Sequence, residues 1–299
     1  MVATLRYHGH CAFELRAESS PDHRDFGLLF DPWRDRTPPA GRWFEQPFPR
    51  LRRPIDVIVS THPHFDHDAV DEAAQGEHVV VLRGGTATFS DAECQQRAWG
   101  GGVLCLTAVT DEHAPASHAA WSVGRPAMRN TMWVVELADG LRALHMGDNR
   151  AELPAPVLQR LGRIDVLFLT IDDACHLLTF EQVELLEFQL KPRLIIPMHY
   201  AIDGLTHSCA IEPAGVFGGN GLGRLDMWLD HRAAQGGIVR RVKSPELRLS
   251  RADLPIRLAE TDGSVIGAGC LSETWVMDVW RPSVATEESI CQPCCHSGL

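Results

Sequence analysis

Short apolar segments rich in β-branched residues alternate with polar, turn-rich joints through the first two hundred residues of the chain. Segments of this kind predict β-strands, because a strand buried in a sheet needs only about four to eight apolar residues. The predicted strands cover residues 4–7, 12–16, 27–30, 55–59, 78–82, 103–107, 132–136, 141–145, 166–170 and 194–197. So many strands indicate two layers of sheet.

Amphipathic stretches between some of these strands predict helices instead. The predicted helices cover residues 69–75, 91–99, 155–161, 180–190 and 225–235. The fourth is marked best, since Thr179 followed three residues later by Gln182 is a capping-box pattern. We expect that helix to end near Lys191, which precedes Pro192.

The composition limits the class of protein that this chain can represent. Of its 299 residues, 44% are hydrophobic and 22% are charged, which allows a sizeable core and excludes wholesale disorder. The 28 lysines and arginines stand against 39 aspartates and glutamates, and the net charge of −11 argues against nucleic acid as a partner. We therefore expect a globular protein that does not bind nucleic acid.

The cysteines and the N-terminus bear on the location of the protein. The first residues lack the basic start and apolar stretch of a secretory signal peptide. No apolar run approaches the roughly 20 residues that a membrane helix requires. Nine cysteines form an odd set, and Cys11, Cys105 and Cys175 lie in or beside apolar runs, where a reduced thiol behaves as a small hydrophobe. We expect a cytoplasmic protein without a membrane span.

The segment STHPHFDHD at residues 60–68 follows a predicted buried strand and carries four metal-ligating side chains within six residues. Pro63 favours an extended backbone at His62, and residues two apart in an extended segment point the same way, so His62 and His64 can hold one ion. Asp66 and His67 fall on the turn into the next helix, where they can face a neighbouring position. Imidazole and carboxylate suit zinc, and also iron and manganese.

This segment resembles the signature of the metallo-β-lactamase-fold hydrolases, which implies an α+β fold, the αββα four-layer sandwich, with ligands on loops at one edge. The sequences YHGHCAF at 7–13 and LLFDPW at 28–33 are similar to the branch of ascorbate-6-phosphate lactonase and N-acyl phosphatidylethanolamine phospholipase D. The resemblance further implies that His113 is the third ligand of the first site, with His118 as the alternative. It assigns Asp148 as a bridging carboxylate and His199 as the last ligand of the second site.

These assignments predict a dinuclear metal hydrolase, with zinc expected and iron or manganese possible. The predicted ligands are His62, His64 and His113 for one ion, Asp66, His67 and His199 for the other, and Asp148 between them. A bridging hydroxide would attack a carbonyl or phosphoryl centre in a lactone, amide, thioester or phosphodiester, and the substrate is expected to be a small, possibly anionic molecule. Two alternatives stay open: an iron-dependent redox enzyme on the same ligands, and a metal-stabilised scaffold without catalysis.

Weaker signals surround this motif. Arginines and aromatic residues at 33–53 predict either a cover over the site, with Arg34, Arg36 or Arg42 holding an anionic substrate, or a solvated loop whose aromatic rings pack on the sheet. Beside Asp66 and Asp148, His176 is a candidate catalytic residue for substrate binding or proton transfer, with a surface histidine as the alternative.

Four further side chains have open roles. His8 and His10 form a second His-x-His pair, which we interpret as structural because no Asp-His follows it. Asp31 and Asp56 can orient ligand histidines or cap strand ends.

The chain divides by composition near residue 254, where the apolar runs weaken. We predict a catalytic domain over residues 1–253 and a C-terminal extension over residues 254–299. The cluster from Cys291 to His296 resembles a metal knuckle, but a closed zinc site usually needs two separated ligand pairs, so we expect a disordered tail.

Overall fold

The computed structural model describes residues 3–17, 25–34, 43–74, 78–85, 97–99, 104–114, 128–172, 177–206, 222–254 and 272–278. The strands are β1 (Ala3–Gly9), β2 (Ala12–Ala17), β3 (Phe26–Phe30), β4 (Val57–Ser60), β5 (Val80–Arg83), β6 (Arg97–Trp99), β7 (Leu104–Glu112), β8 (Arg129–Leu137), β9 (Arg142–His145), β10 (Val166–Thr170), β11 (Leu194–Met198), β12 (Tyr200–Ala201), β13 (Gly223–Arg224), β14 (Val239–Val242), β15 (Glu246–Leu249) and β16 (Glu273–Met277). The helices are α1 (Val70–Ala73), α2 (Ala155–Leu161), α3 (Phe180–Leu190) and α4 (Leu225–Ala234).

The strands form two large mixed sheets and one small pair. The first sheet has the order β15-β1-β2-β3-β4-β5, and the second has the order β14-β16-β11-β10-β9-β8-β7-β6. In the first, β1, β3 and β4 run in one direction, because β2 is antiparallel to both β1 and β3 while β3 and β4 are parallel. In the second, β7, β9, β10 and β11 run in one direction by the same reasoning. Each sheet therefore has several strands whose carboxyl ends meet at one edge.

The two sheets share one apolar core. Phe13 of β2 stacks on Phe168 of β10 with ring centroids 4.6 Å apart, and Trp133 Nε1 of β8 donates to the backbone oxygen of Ser60 at 3.0 Å. Each fully buried side chain of this size contributes roughly 1.5–3 kcal/mol to folding. The packed rings fix the separation of the sheets, and so the separation of the loops at their shared edge.

Helices cover the outer faces of the sandwich. Val70 and Ala73 of α1 pack with Leu29 and Ile58 on the first sheet. Helices α2 and α3 connect the parallel strands β9, β10 and β11 as crossovers, and their buried leucines join the main core. The α+β sandwich with αββα layering is confirmed.

The best-marked helix prediction is confirmed at both ends. Helix α3 has Thr179 as its N-cap, with both hydrogen bonds of the capping box to Gln182, and it ends at Lys191 in the left-handed conformation. The predicted helix over 91–99 is wrong in its described part, because Arg97–Trp99 is a strand that pairs antiparallel with β7. Pairing at the sheet edge satisfies that backbone in a way that the local helical pattern does not reveal.

The C-terminal extension contributes a strand to the main sandwich. Strand β16 (Glu273–Met277) lies between β14 and β11 in the second sheet. The cysteine cluster at 291–296 lies outside the described residues. Within the described ranges, every helix is too short or too polar to cross a bilayer.

Candidate metal centre

The predicted ligands converge because their loops follow strands that run in the same direction. The loop from Thr61 to Asp68 follows β4, and His113, Asp148 and His199 follow β7, β9 and β11 respectively. The carboxyl ends of these strands meet at one edge of the sandwich, where ligands commonly bind in folds with parallel strands. The metal loop is itself closed by a tight turn, with His67 N donating to His64 O at 3.0 Å.

Asp148 lies at the middle of the cluster. Its Oδ2 atom lies near the Nε2 atoms of four histidines, at 3.7 Å from His62, 3.4 Å from His67, 3.6 Å from His113 and 3.4 Å from His199. Ligand atoms bound tetrahedrally at about 2.1 Å from an ion are about 3.4 Å from one another. These separations therefore match the edges of coordination polyhedra that share Asp148.

The ligand atoms form two groups. Those of His62, His64, His113 and Asp148 lie within 4.8 Å of one another. On the other side, Asp66 Oδ2 lies 3.5 Å from His67 Nε2 and 3.7 Å from His199 Nε2. The structure thus brings together all seven side chains that the sequence proposes as ligands. His176 and His118 lie outside the described residues.

Several polar atoms of the cluster have unmet bonding capacity. His67 Nε2, His113 Nε2 and Asp148 Oδ1 are buried and have no hydrogen-bond partner among the described residues. Leaving such an atom unsatisfied costs about 1–3 kcal/mol. Because neutral imidazole nitrogen and carboxylate oxygen are the donors that a divalent transition metal accepts, the residues present fit a metal site.

The two buried carboxylates of the cluster, Asp66 and Asp148, favour positive charge at its centre. Burial lowers the pKa of His62 well below its usual value and that of His64 to about 4, so both rings are neutral and can act as ligands. Burial alone would also lower the pKa of His199, but Asp148 and Asp66 raise it to about 10. The two carboxylates therefore hold a proton on the chain where a metal ion would supply the charge instead.

Hydrogen bonds fix which nitrogen faces the centre in two of the ligand histidines, His67 and His113. Asp31 Oδ2 accepts from His67 Nδ1 at 2.7 Å, so the Nε2 atom of His67 points to Asp148. His113 Nδ1 donates to the backbone oxygen of Ala114 at 2.7 Å in the same manner. Such outer partners orient metal ligands and raise their basicity.

The other candidate orienting carboxylate lies elsewhere. Asp56 accepts from the backbone nitrogen of Gly27 at 2.8 Å and supports the packing of β3 instead.

The turn that carries Asp148 is fixed from behind by a polar network. Asp148 N donates to Asn130 Oδ1 at 3.3 Å, and Asn130 Nδ2 donates to Asn149 Oδ1 at 3.1 Å. Asn149 then donates to Asp111 at 3.0 Å, and Arg150 binds both oxygens of the same carboxylate at 2.7 and 3.0 Å. This network links the turn after β9 to the end of β7, which carries His113.

Backbone strain is concentrated at the centre. Of the non-glycine residues with positive φ in the described ranges, His10 (52°), Asp31 (40°) and His199 (61°) lie at the site, and Lys191 (46°) ends α3. Strained backbone of this kind persists where surrounding contacts over-determine it, as at functional sites.

The arginine and aromatic segment supports the packing interpretation as far as it is described. Arg34 donates to the backbone oxygen of Asp68 and forms an ion pair with Glu72, so its guanidinium is engaged by the protein itself. Phe44 is buried and stacks on Trp33 at 5.2 Å. Residues 35–42, with Arg36 and Arg42, lie outside the described ranges.

The two histidines of the N-terminal pair have different surroundings. His8 Nε2 lies 3.0 Å from Glu14 Oε2, in keeping with its structural interpretation. His10 Nε2 lies 3.1 Å from Asp66 Oδ2, and its ring centroid is 4.3 Å from that of His199. Sequence reasoning missed this neighbour of the cluster, because only the fold brings the turn after β1 against the metal loop.

Comparisons with known proteins agree with this architecture. Residues 4–199 match the family model of the Beta-lactamase superfamily domain. A UPF0173 metal-dependent hydrolase of Thermofilum pendens is 32% identical over 203 residues, covering 67% of this chain and 84% of that protein. One from Archaeoglobus fulgidus is 30% identical over 210 residues, covering 64% of this chain and 80% of that protein.

A solved structure shows the same fold across most of the chain. It is a metallo-β-lactamase superfamily protein from Thermotoga maritima, with a TM-score of 0.51 and 18% identity. The match covers 92% of this chain and 98% of that one. This chain therefore belongs to the metallo-β-lactamase superfamily, within the UPF0173 metal-dependent hydrolases.

Proposed function

We propose that the protein is a dinuclear metal hydrolase, with zinc as its metal, that attacks a carbonyl or phosphoryl centre. The observation that carries this proposal is the position of Asp148 Oδ2, which lies near ring nitrogens of both histidine groups. The proposed ligands are His62, His64 and His113 for one ion, Asp66, His67 and His199 for the other, and Asp148 for both.

The side chains of the protein orient the metal ligands and set the net charge of the centre. Bound divalent ions would lower the pKa of water toward neutrality and polarise the oxygen under attack. Asp31 accepts from Nδ1 of His67, so the Nε2 atom faces the centre and can bind an ion once it has lost its proton. Asp66 and Asp148 offset only two of the four positive charges of two such ions. The centre therefore stays cationic and favours an anionic reaction intermediate.

The proposed substrate is a small molecule that carries a lactone, amide, thioester or phosphodiester bond. The narrower resemblance to ascorbate-6-phosphate lactonase and N-acyl phosphatidylethanolamine phospholipase D stays a prediction. Because Arg34 is engaged by Glu72 and Asp68, a preference for anionic substrates would depend on other groups, among them the cationic centre itself. His176 stays a proposed residue for substrate binding or proton transfer.

The test is hydrolysis of a panel of these four bond types by protein loaded with zinc. We expect the wild-type chain to hydrolyse at least one of the four bond types and Asp148→Ala to hydrolyse none. Circular dichroism should show that both chains are folded. Two bound ions without turnover of any class would instead favour the non-catalytic scaffold. Iron in protein purified from its native host would favour the redox alternative on the same ligands.

We also propose a cytoplasmic location. Cys11 is a buried free thiol whose Sγ lies within 4.8 Å of ring nitrogens of His10, His67 and His199, which suits a reducing compartment. Fractionation of the native host with a secreted and a cytoplasmic marker would check this location.

A further inference from the structure

His10 lies in the turn between β1 and β2, and its backbone is held in place from two sides. Its carbonyl oxygen accepts from Tyr7 Oη at 3.0 Å and from the backbone nitrogen of His199 at 3.1 Å. The residue has a left-handed φ of 52°, and its side chain is fully buried. A strained, buried histidine tied to the loop of a proposed ligand is unlike an ordinary turn residue.

The side chain of His10 is directed at the second metal position. Its Nε2 atom lies 3.1 Å from Asp66 Oδ2, the same oxygen that lies 3.5 Å from His67 Nε2 and 3.7 Å from His199 Nε2. An ionised carboxylate can only accept hydrogen bonds, so Nε2 of His10 carries a proton and donates a hydrogen bond to Asp66. This hydrogen bond uses one lone pair of the Asp66 oxygen, and the other lone pair stays directed at the two ligand histidines.

We propose that His10 is a positioning residue that fixes the Asp66 carboxylate for the second ion. This inference rests on the proposed metal centre, but it assigns a role that the seven ligands do not include. Among the described residues, the carboxylate contacts His10, His67 and His199, and the contact with His10 is the shortest. Without the bond from His10, Asp66 would lose the orientation in which its oxygen faces both ligand histidines.

His8, two residues earlier at the end of β1, provides a matched control. Like His10, it is a buried imidazole whose Nε2 atom lies 3.0 Å from a buried carboxylate, in this case Glu14. Glu14 is bound by Arg6 and Arg16 rather than by any proposed metal ligand. The His8→Ala variant therefore shows how removal of a buried histidine–carboxylate pair changes folding stability when no proposed metal ligand is involved.

The experiment measures zinc binding to the metal-free, full-length chain by competition with a chromophoric chelator. The variants are His10→Ala, His10→Asn, His10→Gln and His8→Ala. A glutamine amide nitrogen reaches the position of Nε2 and can donate, whereas an asparagine amide is too short. We expect two ions per wild-type chain and a second-ion affinity about 10–100-fold lower in His10→Ala and His10→Asn, the usual loss when a partner of a metal ligand is removed. His10→Gln should restore most of that affinity, and His8→Ala should retain it.

Each outcome has a distinct meaning. Wild-type second-ion affinity in His10→Ala would overturn the positioning role while leaving the hydrolase proposal intact. Equal losses in His10→Gln and His10→Ala would overturn it as well, because they would indicate that the ring nitrogen itself binds the ion. A wild-type chain that binds fewer than two ions would refute the dinuclear centre instead. Thermal unfolding of each metal-free variant, together with the absorption spectrum of the cobalt-loaded protein, separates loss of the site from loss of the fold.

Discussion

Replacement of Asp31 by asparagine should weaken binding of the second metal ion while keeping the shape of the site. Asp31 is buried and accepts three hydrogen bonds of 2.7 Å, from Thr61 N, Thr61 Oγ1 and His67 Nδ1. Asparagine has one acceptor oxygen, which the backbone nitrogen of Thr61 requires because it can only donate. The amide NH₂ would then face His67 and donate to its Nδ1, which moves the ring proton to Nε2 and removes the lone pair that a metal needs.

These contacts determine the expected losses in folding stability and in metal affinity. Hydrogen bonds to a charged group contribute about 1 kcal/mol more than neutral ones, so three of them give a loss of about 3 kcal/mol in folding stability. The change of tautomer should lower the affinity for the second ion by about 10–100-fold. The fold should survive, because the amide nitrogen can donate to both Thr61 Oγ1 and His67 Nδ1, the two groups that Oδ2 of Asp31 contacts.

The assay is zinc titration against a chromophoric chelator, with urea unfolding of the metal-free protein in parallel. Asp56→Asn is the control, since Asp56 also accepts a backbone hydrogen bond at a strand of the first sheet but lies apart from the cluster. Binding of two ions with wild-type affinity by Asp31→Asn would refute the tautomer argument. Equal losses of metal in both variants would also refute it, because they would indicate a general effect on folding.

Three further predictions concern the same site. His113→Ala should bind one ion fewer and His118→Ala should not, as measured by elemental analysis; the reverse result would make His118 the third ligand. Gly147→Ala should destabilise the chain by about 1–3 kcal/mol in urea unfolding, because Gly147 has a φ of 59° and an added Cβ would lie 2.6 Å from neighbouring side chains; unchanged stability would contradict this. Since the pKa of His199 is raised from 6.5 to about 10, its stabilisation of the metal-free chain should be complete below about pH 6.5 and lost as the pH rises through about 10. Zinc binding at pH 7 should therefore release protons in calorimetry with two buffers of different ionisation enthalpy, and a heat that does not depend on the buffer would contradict it.

Elements with strong local signals could be predicted from the sequence. Strand β10 and helices α2 and α3 have the predicted bounds, since their apolar periodicity and, for α3, the capping box act over a few residues. Strand β7 extends to Glu112, well beyond the predicted end at residue 107. Its polar end is stabilised by pairing with Asn130 and Arg129 of β8, a contact that local hydrophobicity does not show.

The residues of the candidate site also divide into those that a local sequence pattern reveals and those that only the fold or a family resemblance reveals. Four ligand-type side chains in six residues make the metal loop visible without a fold, whereas His113, Asp148 and His199 required the family resemblance. His10 could not be assigned from the pattern, because His8 and His10 look alike in the sequence and differ only in the carboxylate that each contacts. The strands β14 and β16 were also missed, since their place in the second sheet depends on long-range pairing.

A crystal structure of the zinc-loaded protein, with anomalous scattering measured on both sides of the zinc edge, tests the central claim most directly. We predict two anomalous peaks that both contact Asp148, one among His62, His64 and His113 and the other among Asp66, His67 and His199. Peaks that leave Asp148 outside bonding distance of both ions would contradict the account, as would a single peak at full zinc occupancy.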